Sequence, residues 1–164
     1  KDADGNVYPA AKIGNQIWMA KNLNVNVPGS MCFNDDPANC ERYGRLYTWE
    51  AAKSACPSGW HLPSMEEFGT LLATVRTSER DQSKNLRAGS WKNGANKFGF
   101  SALPAGSYGK YEKFYYVGNL AFFWSSSERN FDLAYYLSIN DYRANVGSRD
   151  KYDALSVRCL QDSN

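Results

Sequence analysis

The chain has 164 residues, with 19 Lys and Arg against 17 Asp and Glu, a formal charge of +2. So small and dispersed an excess, with no recognition-helix or ribonucleoprotein pattern, sets nucleic acid aside as a partner, and no apolar run reaches the roughly 20 residues of a membrane-spanning helix. One domain, 1–164, is the economical reading, long enough to bury a core without a metal.

Asp4-Gly5-Asn6 reads as a turn, and Lys12 to Met19 as two short strands around Gly14-Asn15, a hairpin expected at one edge of a sheet. Residues 22–30 are irregular and rich in Asn. Thr48 caps a short helix whose Trp49, Ala52 and Cys56 recur at helical spacing, and Pro57 with Gly59 ends it. A second helix follows, opened by a Ser64/Glu67 capping box and carrying Phe68, Leu71, Leu72 and Val75 as its apolar stripe. The polar run 77–84 is a surface connection, with one further helical turn over 84–87.

Beyond Trp91 glycine punctuation replaces helical period. Residues 97–104 read as a strand ending at Pro104, and 105–116 as a loop dense in Gly, Lys and Tyr. Three strand candidates follow: 122–126, then 133–140 with Leu133, Tyr135, Leu137 and Ile139 on one face, then 155–159 with Leu155, Val157 and Cys159 facing the core. Hairpin, two helices and a run of antiparallel strands define an α+β class, two helices flanking a small twisted antiparallel sheet with long C-terminal loops.

Four cysteines allow three pairings. Cys32 and Cys40 bracket a turn-rich segment with no histidine, which favours a local disulfide over a zinc site and leaves Cys56 with Cys159. Such bonds belong to an oxidising compartment; free thiols in a cytosolic chain are the alternative.

The motifs Asp4-Gly5-Asn6-Val7-Tyr8, Ile13-Gly14-Asn15-Gln16-Ile17-Trp18-Met19, Tyr43-Gly44-Arg45-Leu46-Tyr47, Cys56-Pro57-Ser58-Gly59-Trp60-His61-Leu62-Pro63, Trp124-Ser125-Ser126-Ser127 and Ser156-Val157-Arg158-Cys159 run nearly end to end. In this order they resemble the Fibrobacter succinogenes major paralogous domain. That resemblance implies a secreted or surface lipoprotein of bacteria, hence an extracellular or cell-surface location, and a domain excised from a larger surface protein; it implies no reaction. The order of a helix ending at Cys56, the Gly59-Trp60-His61-Leu62 segment, a second helix and a late Cys159 is also similar to C-type lectin-like domains. Neither the loop-bracing second disulfide nor the Glu-Pro-Asn and Trp-Asn-Asp motifs of calcium-dependent sugar binders is present, so calcium-dependent binding does not carry over. The C-terminal pattern further resembles retroelement-diversified variable proteins, which display changeable residues on the last strands and loops of a lectin-like scaffold.

No catalytic set assembles. His61, the only histidine, lacks a nucleophile elbow beside it and reads as structural, and Glu66 and Glu67 are neighbours on a helix, about 100° apart, rather than carboxylates flanking one bond. Asp35 and Asp36 lack calcium-loop spacing and read as a turn, and no cofactor motif is found. Two late segments crowd rings with polar groups: Tyr108, Lys110, Tyr111, Lys113 and Phe114 in one, and Arg129, Asn130, Phe131, Asp132, Tyr142, Arg143 and Asn145 around the penultimate strand. Rings stack on sugars or anchor protein contacts, while Asn, Asp and Arg supply directional hydrogen bonds. The expectation is a non-catalytic recognition or adhesion domain binding a glycan or a surface protein through these loops. A polysaccharide-active hydrolase drawing on Asp132, Asp141, Asp150, Asp153, Glu112 and Glu128, or a spacer module of an adhesin, is the alternative.

Overall fold

The computed structural model describes residues 1–163. Strands β1 (Ala10–Ile13) and β2 (Gln16–Met19) form the expected antiparallel hairpin, with Ile13 opposite Gln16. Gly14 takes the positive φ of 61° that this two-residue turn needs. Just before it, Asp2 accepts hydrogen bonds from the Asp4 and Asn6 amides, the Asn6 side chain and the Tyr8 hydroxyl, closing the expected turn.

After β3 (Ser30–Met31) the chain departs from expectation. The segment between Cys32 and Cys40 is not all turn, for it contains the first turn of helix α1 (Pro37–Tyr43). Asp36 accepts from the Ala38 amide and Pro37 stands at the first helical position, so an Asp-Pro pair that suits a turn works here as a cap with a preset φ. Strand β4 (Leu46–Thr48) leads into helix α2 (Trp49–Ala55), capped by Thr48 and ended at Cys56. Strand β5 (Trp60–His61) is followed by helix α3 (Met65–Val75), which has the full Ser64/Glu67 capping box and buries Phe68, Leu71 and Val75. The further turn expected over 84–87 is helix α4 (Gln82–Leu86), which starts two residues earlier.

Residues 97–104 do not form the expected strand. Asn96, Gly99 and Ser101 all have positive φ, incompatible with an extended run, and the Asn96 side chain accepts from the Ser101 amide while donating to its hydroxyl. Phe100 is thereby turned into the core, and only an isolated bridge joins Ala102 to Arg87. The loop expected over 105–116 is instead a hairpin of β6 (Ser107–Gly109) and β7 (Lys113–Tyr115) around a single 3₁₀ turn.

The late strands are β8 (Ala121–Glu128), β9 (Leu133–Ile139), β10 (Ala144–Asp150), β11 (Ala154–Leu155) and β12 (Leu160–Gln161). On β9 the buried residues are Ala134, Leu137 and Ile139, so the single alternating face expected from Leu133 to Ile139 is broken. Both faces of β9 meet a core, Leu137 and Ile139 in one cluster and Ala134 with Tyr136 in another, and on β8 the register shifts between Trp124 opposite Tyr136 and Glu128 opposite Ala134, a bulge. The terminal segment is likewise not one strand: β11 and β12 belong to different sheets, and every residue from Ala154 to Leu160 is buried.

The architecture is therefore mixed α/β: four helices among the described residues and three sheets rather than one small one, with every named strand pairing antiparallel. The sheet orders are β1-β2-β12-β5, β10-β9-β8 and β3-β4-β11-β6-β7. The hairpin β1 and β2 does supply one edge. One core cluster packs Trp18, Phe68, Phe100 and Phe123 under α3, and a second of similar size surrounds Cys56–Cys159 with Tyr47, Trp49, Trp124 and Val157. Both disulfides expected from spacing are formed, with Cα separations of 5.0 Å for Cys32–Cys40 and 5.9 Å for Cys56–Cys159.

Arg158 has an unforeseen place. It is fully buried, and its guanidinium donates to Asn22 Oδ1 and to the carbonyls of Met19, Phe100 and Ser101, lying 4.4 Å from the Phe100 ring centre. Among the described residues no carboxylate is a hydrogen-bond partner of this group. Burial pushes its pKa down to about 9, so the group stays cationic near neutrality, held by carbonyl dipoles and ring faces.

Candidate functional site

The expected site residues do not gather in one place. In the β6–β7 hairpin Tyr108 stands opposite Phe114, their rings 4.8 Å apart, and Phe114 lies 5.0 Å from buried Phe33. Tyr108 and Phe114 are thus half-buried packing residues of a small third core with Leu46 and Ala154. The hairpin tip behaves differently. Tyr111 is 76% exposed, with the Lys110 ammonium 5.2 Å from its ring, and Lys113 is exposed just beyond.

The β8–β9 turn carries Arg129, Asn130, Phe131 and Asp132. Asn130 Oδ1 accepts from the Asp132 and Leu133 amides, and Arg129 reaches Ser148 Oγ at 2.9 Å, so the turn is held from inside and from β10. Phe131 at its crest is 90% exposed. The next turn, between β10 and β11, is tied to it by Lys151, whose amide donates to Asp132 O and whose ammonium donates to Phe131 O and Glu128. That ammonium also lies 4.6 Å from the Trp49 ring centre.

Tyr152, next in the chain and 86% exposed, was not among the expected residues. Its signal was present in Asp150-Lys151-Tyr152-Asp153, a polar turn with one large ring, and Asp150 does accept from the Tyr152 amide. Arg149 and Asp153 form a largely buried ion pair at 2.9 Å beneath this turn. Burial pushes Asp153 up and Arg149 opposes it. Gly109 lies against the pair: a Cβ there would sit 2.7 Å from Asp153 Oδ1, so a side chain would force the hairpin tip away. Three turns thereby stand side by side at one end of the molecule, presenting Tyr111, Phe131 and Tyr152.

Tyr142, Arg143 and Asn145 are elsewhere. The β9–β10 turn and the β8–β9 turn lie at opposite ends of β9, whose seven residues extend roughly 20 Å at 3.3 Å per residue. Consecutive turns of an antiparallel meander must alternate ends, so the single surface expected from the late loops divides in two. Tyr142 is 78% exposed on a turn fixed by Asn140 Oδ1, which accepts from the Tyr142 and Arg143 amides. Together with Arg76, Arg80, Lys84 and Asp141, these residues line a cleft of about 1030 Å³. Asn145 lies in β10, a strand the sequence pattern did not reveal.

The carboxylates of the hydrolase alternative are spread over this framework. Asp153 is paired with Arg149, Glu128 with Lys151, Asp141 accepts from Trp91 Nε1 at 3.0 Å, and Asp150 caps a turn. Glu112 and Asp132 sit on separate turns. Among the described residues no group of three or more His, Cys, Asp or Glu is placed to hold a metal, and no helix is long and apolar enough to cross a membrane.

His61 is a structural bridge. Its Nδ1 lies 2.6 Å from Asp162 Oδ1 and its Nε2 2.9 Å from Glu67 Oε2, joining the chain end to the start of α3. Burial alone would lower its pKa, yet the hydrogen bonds that Asp162 and Glu67 accept from it hold it above the ordinary value. The folded chain therefore binds this proton more tightly than the unfolded chain. The resulting stability is complete below the unfolded value of about 6.5 and is lost as pH rises through the higher folded value. Melting temperatures of the native chain are expected to fall across that window and those of His61→Gln to fall less; parallel pH profiles would refute the bridge.

A disulfide-braced mixed α/β domain, helices on its early half and an antiparallel meander with solvent-facing turns on its late half, is the class these features define. The chain belongs to the Fibrobacter succinogenes major domain family, whose model matches residues 11–161. No match to the chain was found among curated proteins or among solved structures.

Proposed function

We propose that this is a non-catalytic, extracellular or bacterial cell-surface recognition domain that binds a glycan or a surface protein. The observation that carries the reading is the group Tyr111, Phe131 and Tyr152: three exposed rings on turns at one end of the molecule, the turns of Phe131 and Tyr152 cross-tied by Lys151 and that of Tyr111 closed by the Tyr115 hydroxyl donating to Lys110 O. Large rings held rigidly in water gain on contact and lose little entropy, which is how aromatic anchors serve interfaces. The paired disulfides are compatible with an oxidising location. The Cys56–Cys159 bond from the end of α2 to the terminal segment, with α3 following the Gly59 segment, supports a C-type lectin-like arrangement in which the late turns are the displayed surface.

The test compares the native chain with a Tyr111→Ala/Phe131→Ala/Tyr152→Ala variant on a glycan array and in pull-downs from intact bacterial surfaces. Loss of roughly 100-fold in affinity is expected, at about one kcal/mol per anchor and so about 3 kcal/mol for the three, with the melting temperature unchanged because the rings are exposed. Equal capture by both chains would exclude this end as the recognition surface. Capture on the array alone identifies a glycan, and capture of a protein alone identifies a protein ligand.

A further inference from the structure

We propose that the cleft between the α3–α4 connection and the β9–β10 turn is a second site, for an acidic polysaccharide whose sugars carry carboxylate or sulfate groups. Arg76, Arg80, Lys84, Arg87 and Arg143 line it against only Glu79 and Asp141, so the cleft holds a larger cationic excess than the entire chain, whose charge is +2. Four of these cations lie within residues 76–87, and Arg143 is brought to them only on folding. Arg87 has its donors committed to Ser83 Oγ and the carbonyls of Lys92 and Asp141, and supplies charge from the floor. Arg76, Arg80, Lys84 and Arg143 differ: among the described residues none of their charged groups has an ion-pair or hydrogen-bond partner.

Like charges gathered without counterions around a cavity raise the local potential and attract anions. Three of the four free cations are arginines, whose planar forks match carboxylate and sulfate oxygens in pairs. The backbone that presents Arg80 is held in place. Arg80 stands at φ 67°, a left-handed conformation uncommon outside glycine, in a loop organised by Asp81, which accepts from the Thr77 amide and hydroxyl and from Ser78 Oγ. Tyr142 adds an exposed ring at the mouth, beside Arg143, as a face for a sugar to stack on. A cleft of about 1030 Å³ with cations distributed along it suits a chain bearing repeated anionic groups better than one small anion. This site is independent of the three-ring end.

The experiment measures binding of the intact chain to polygalacturonate and to heparin, with dextran and a single-stranded oligonucleotide for comparison, at about 50 and about 300 mM salt. Acidic polysaccharide is expected to bind at low salt and to weaken at least about tenfold at the higher salt and about tenfold or more in Arg76→Glu/Arg143→Glu. Tyr142→Ala is expected to weaken it about three- to tenfold at either salt concentration, a loss from stacking rather than from charge. The Tyr111→Ala/Phe131→Ala/Tyr152→Ala variant should bind both acidic polymers as the native chain does, which separates this site from the other. Preference for polygalacturonate assigns carboxylate as the recognised group and preference for heparin assigns sulfate. Absence of binding to either polymer, binding undiminished in the folded cleft variants, or dextran or oligonucleotide binding as tight as that of the acidic polymers would overturn the proposal. Should the double charge reversal fail to fold, Arg80→Gln and Tyr142→Ala carry the same decision.

Discussion

Replacing both Cys56 and Cys159 with alanine is expected to lower the unfolding free energy by roughly 4–5 kcal/mol, about twice the effect of the same change at Cys32 and Cys40. The physical difference is the length of chain each bond closes, 103 residues of separation against 8. In the chain-entropy model a closure of about 100 residues removes roughly 4.7 kcal/mol of freedom from the unfolded ensemble, and one of about 9 residues roughly 2.6 kcal/mol. Packing works in the same direction, since Cys159 is fully buried amid the second core cluster while Cys32 is only half-buried. Urea unfolding of the two double variants under non-reducing conditions decides it. Equal midpoints, or a larger loss at Cys32 and Cys40, would mean that the long bond adds little beyond the contacts around it.

The second large effect is expected at Arg158. Truncation to alanine leaves Asn22 Oδ1 and the carbonyls of Met19, Phe100 and Ser101 without their donor in a region water does not reach, and opens a void against Phe100 and Phe123. Losing one member of a satisfied buried charged network costs about 3–5 kcal/mol, a large share of the 5–15 kcal/mol typical of a whole domain. Arg158→Met fills most of the volume and supplies no donor, so it is expected to recover only the packing part, about 1–2 kcal/mol. Arg158→Lys offers a point charge where a flat fork bridges four acceptors, and should fall between. A loss below about 1 kcal/mol for the alanine variant would show that the acceptors find other partners.

The elements that were legible in the sequence are those whose signals are local. Thr48 and Ser64 cap their helices through side-chain contacts within three residues, and Gly14-Asn15 turns its hairpin unaided. Where a local signal has two meanings the reading failed: Asp36-Pro37 serves a turn or a helix start equally well, and the helix prevailed because the Cys32–Cys40 bond and buried Tyr43 draw it onto the sheet. Strand β10 gave no pattern because it is an edge with both faces partly open, so nothing demanded alternation. The extended reading of 97–104 was defeated by Asn96, whose side chain clasps Ser101 across a tight bend.

The candidate site was legible as a set of residues but not as a place. Tyr111 and Phe131 lie at the exposed end and Tyr142 at the cleft, while Tyr108 and Phe114 pack inward, a sorting that depends on pairing register and on which end of β9 each turn occupies. Tyr152 and the cations of the cleft were overlooked for the same reason. Tyr152 meets the turns of Tyr111 and Phe131, and the cations between Arg76 and Arg87 meet Arg143, only once distant parts of the chain are brought together.

The buried run from Ala154 to Leu160 lies between sheets, with Cys159 O and Val157 O accepting from the Met19 and Leu23 amides on one side and Ser156 exchanging backbone bonds with Phe122 and Trp124 on the other. A wedge of this kind sets the order of assembly during biosynthesis. Until this run is available, the early hairpin and the late meander lack the backbone that joins them, so neither can complete its core alone. The Cys56–Cys159 bond has the same requirement, since its second thiol lies in this run.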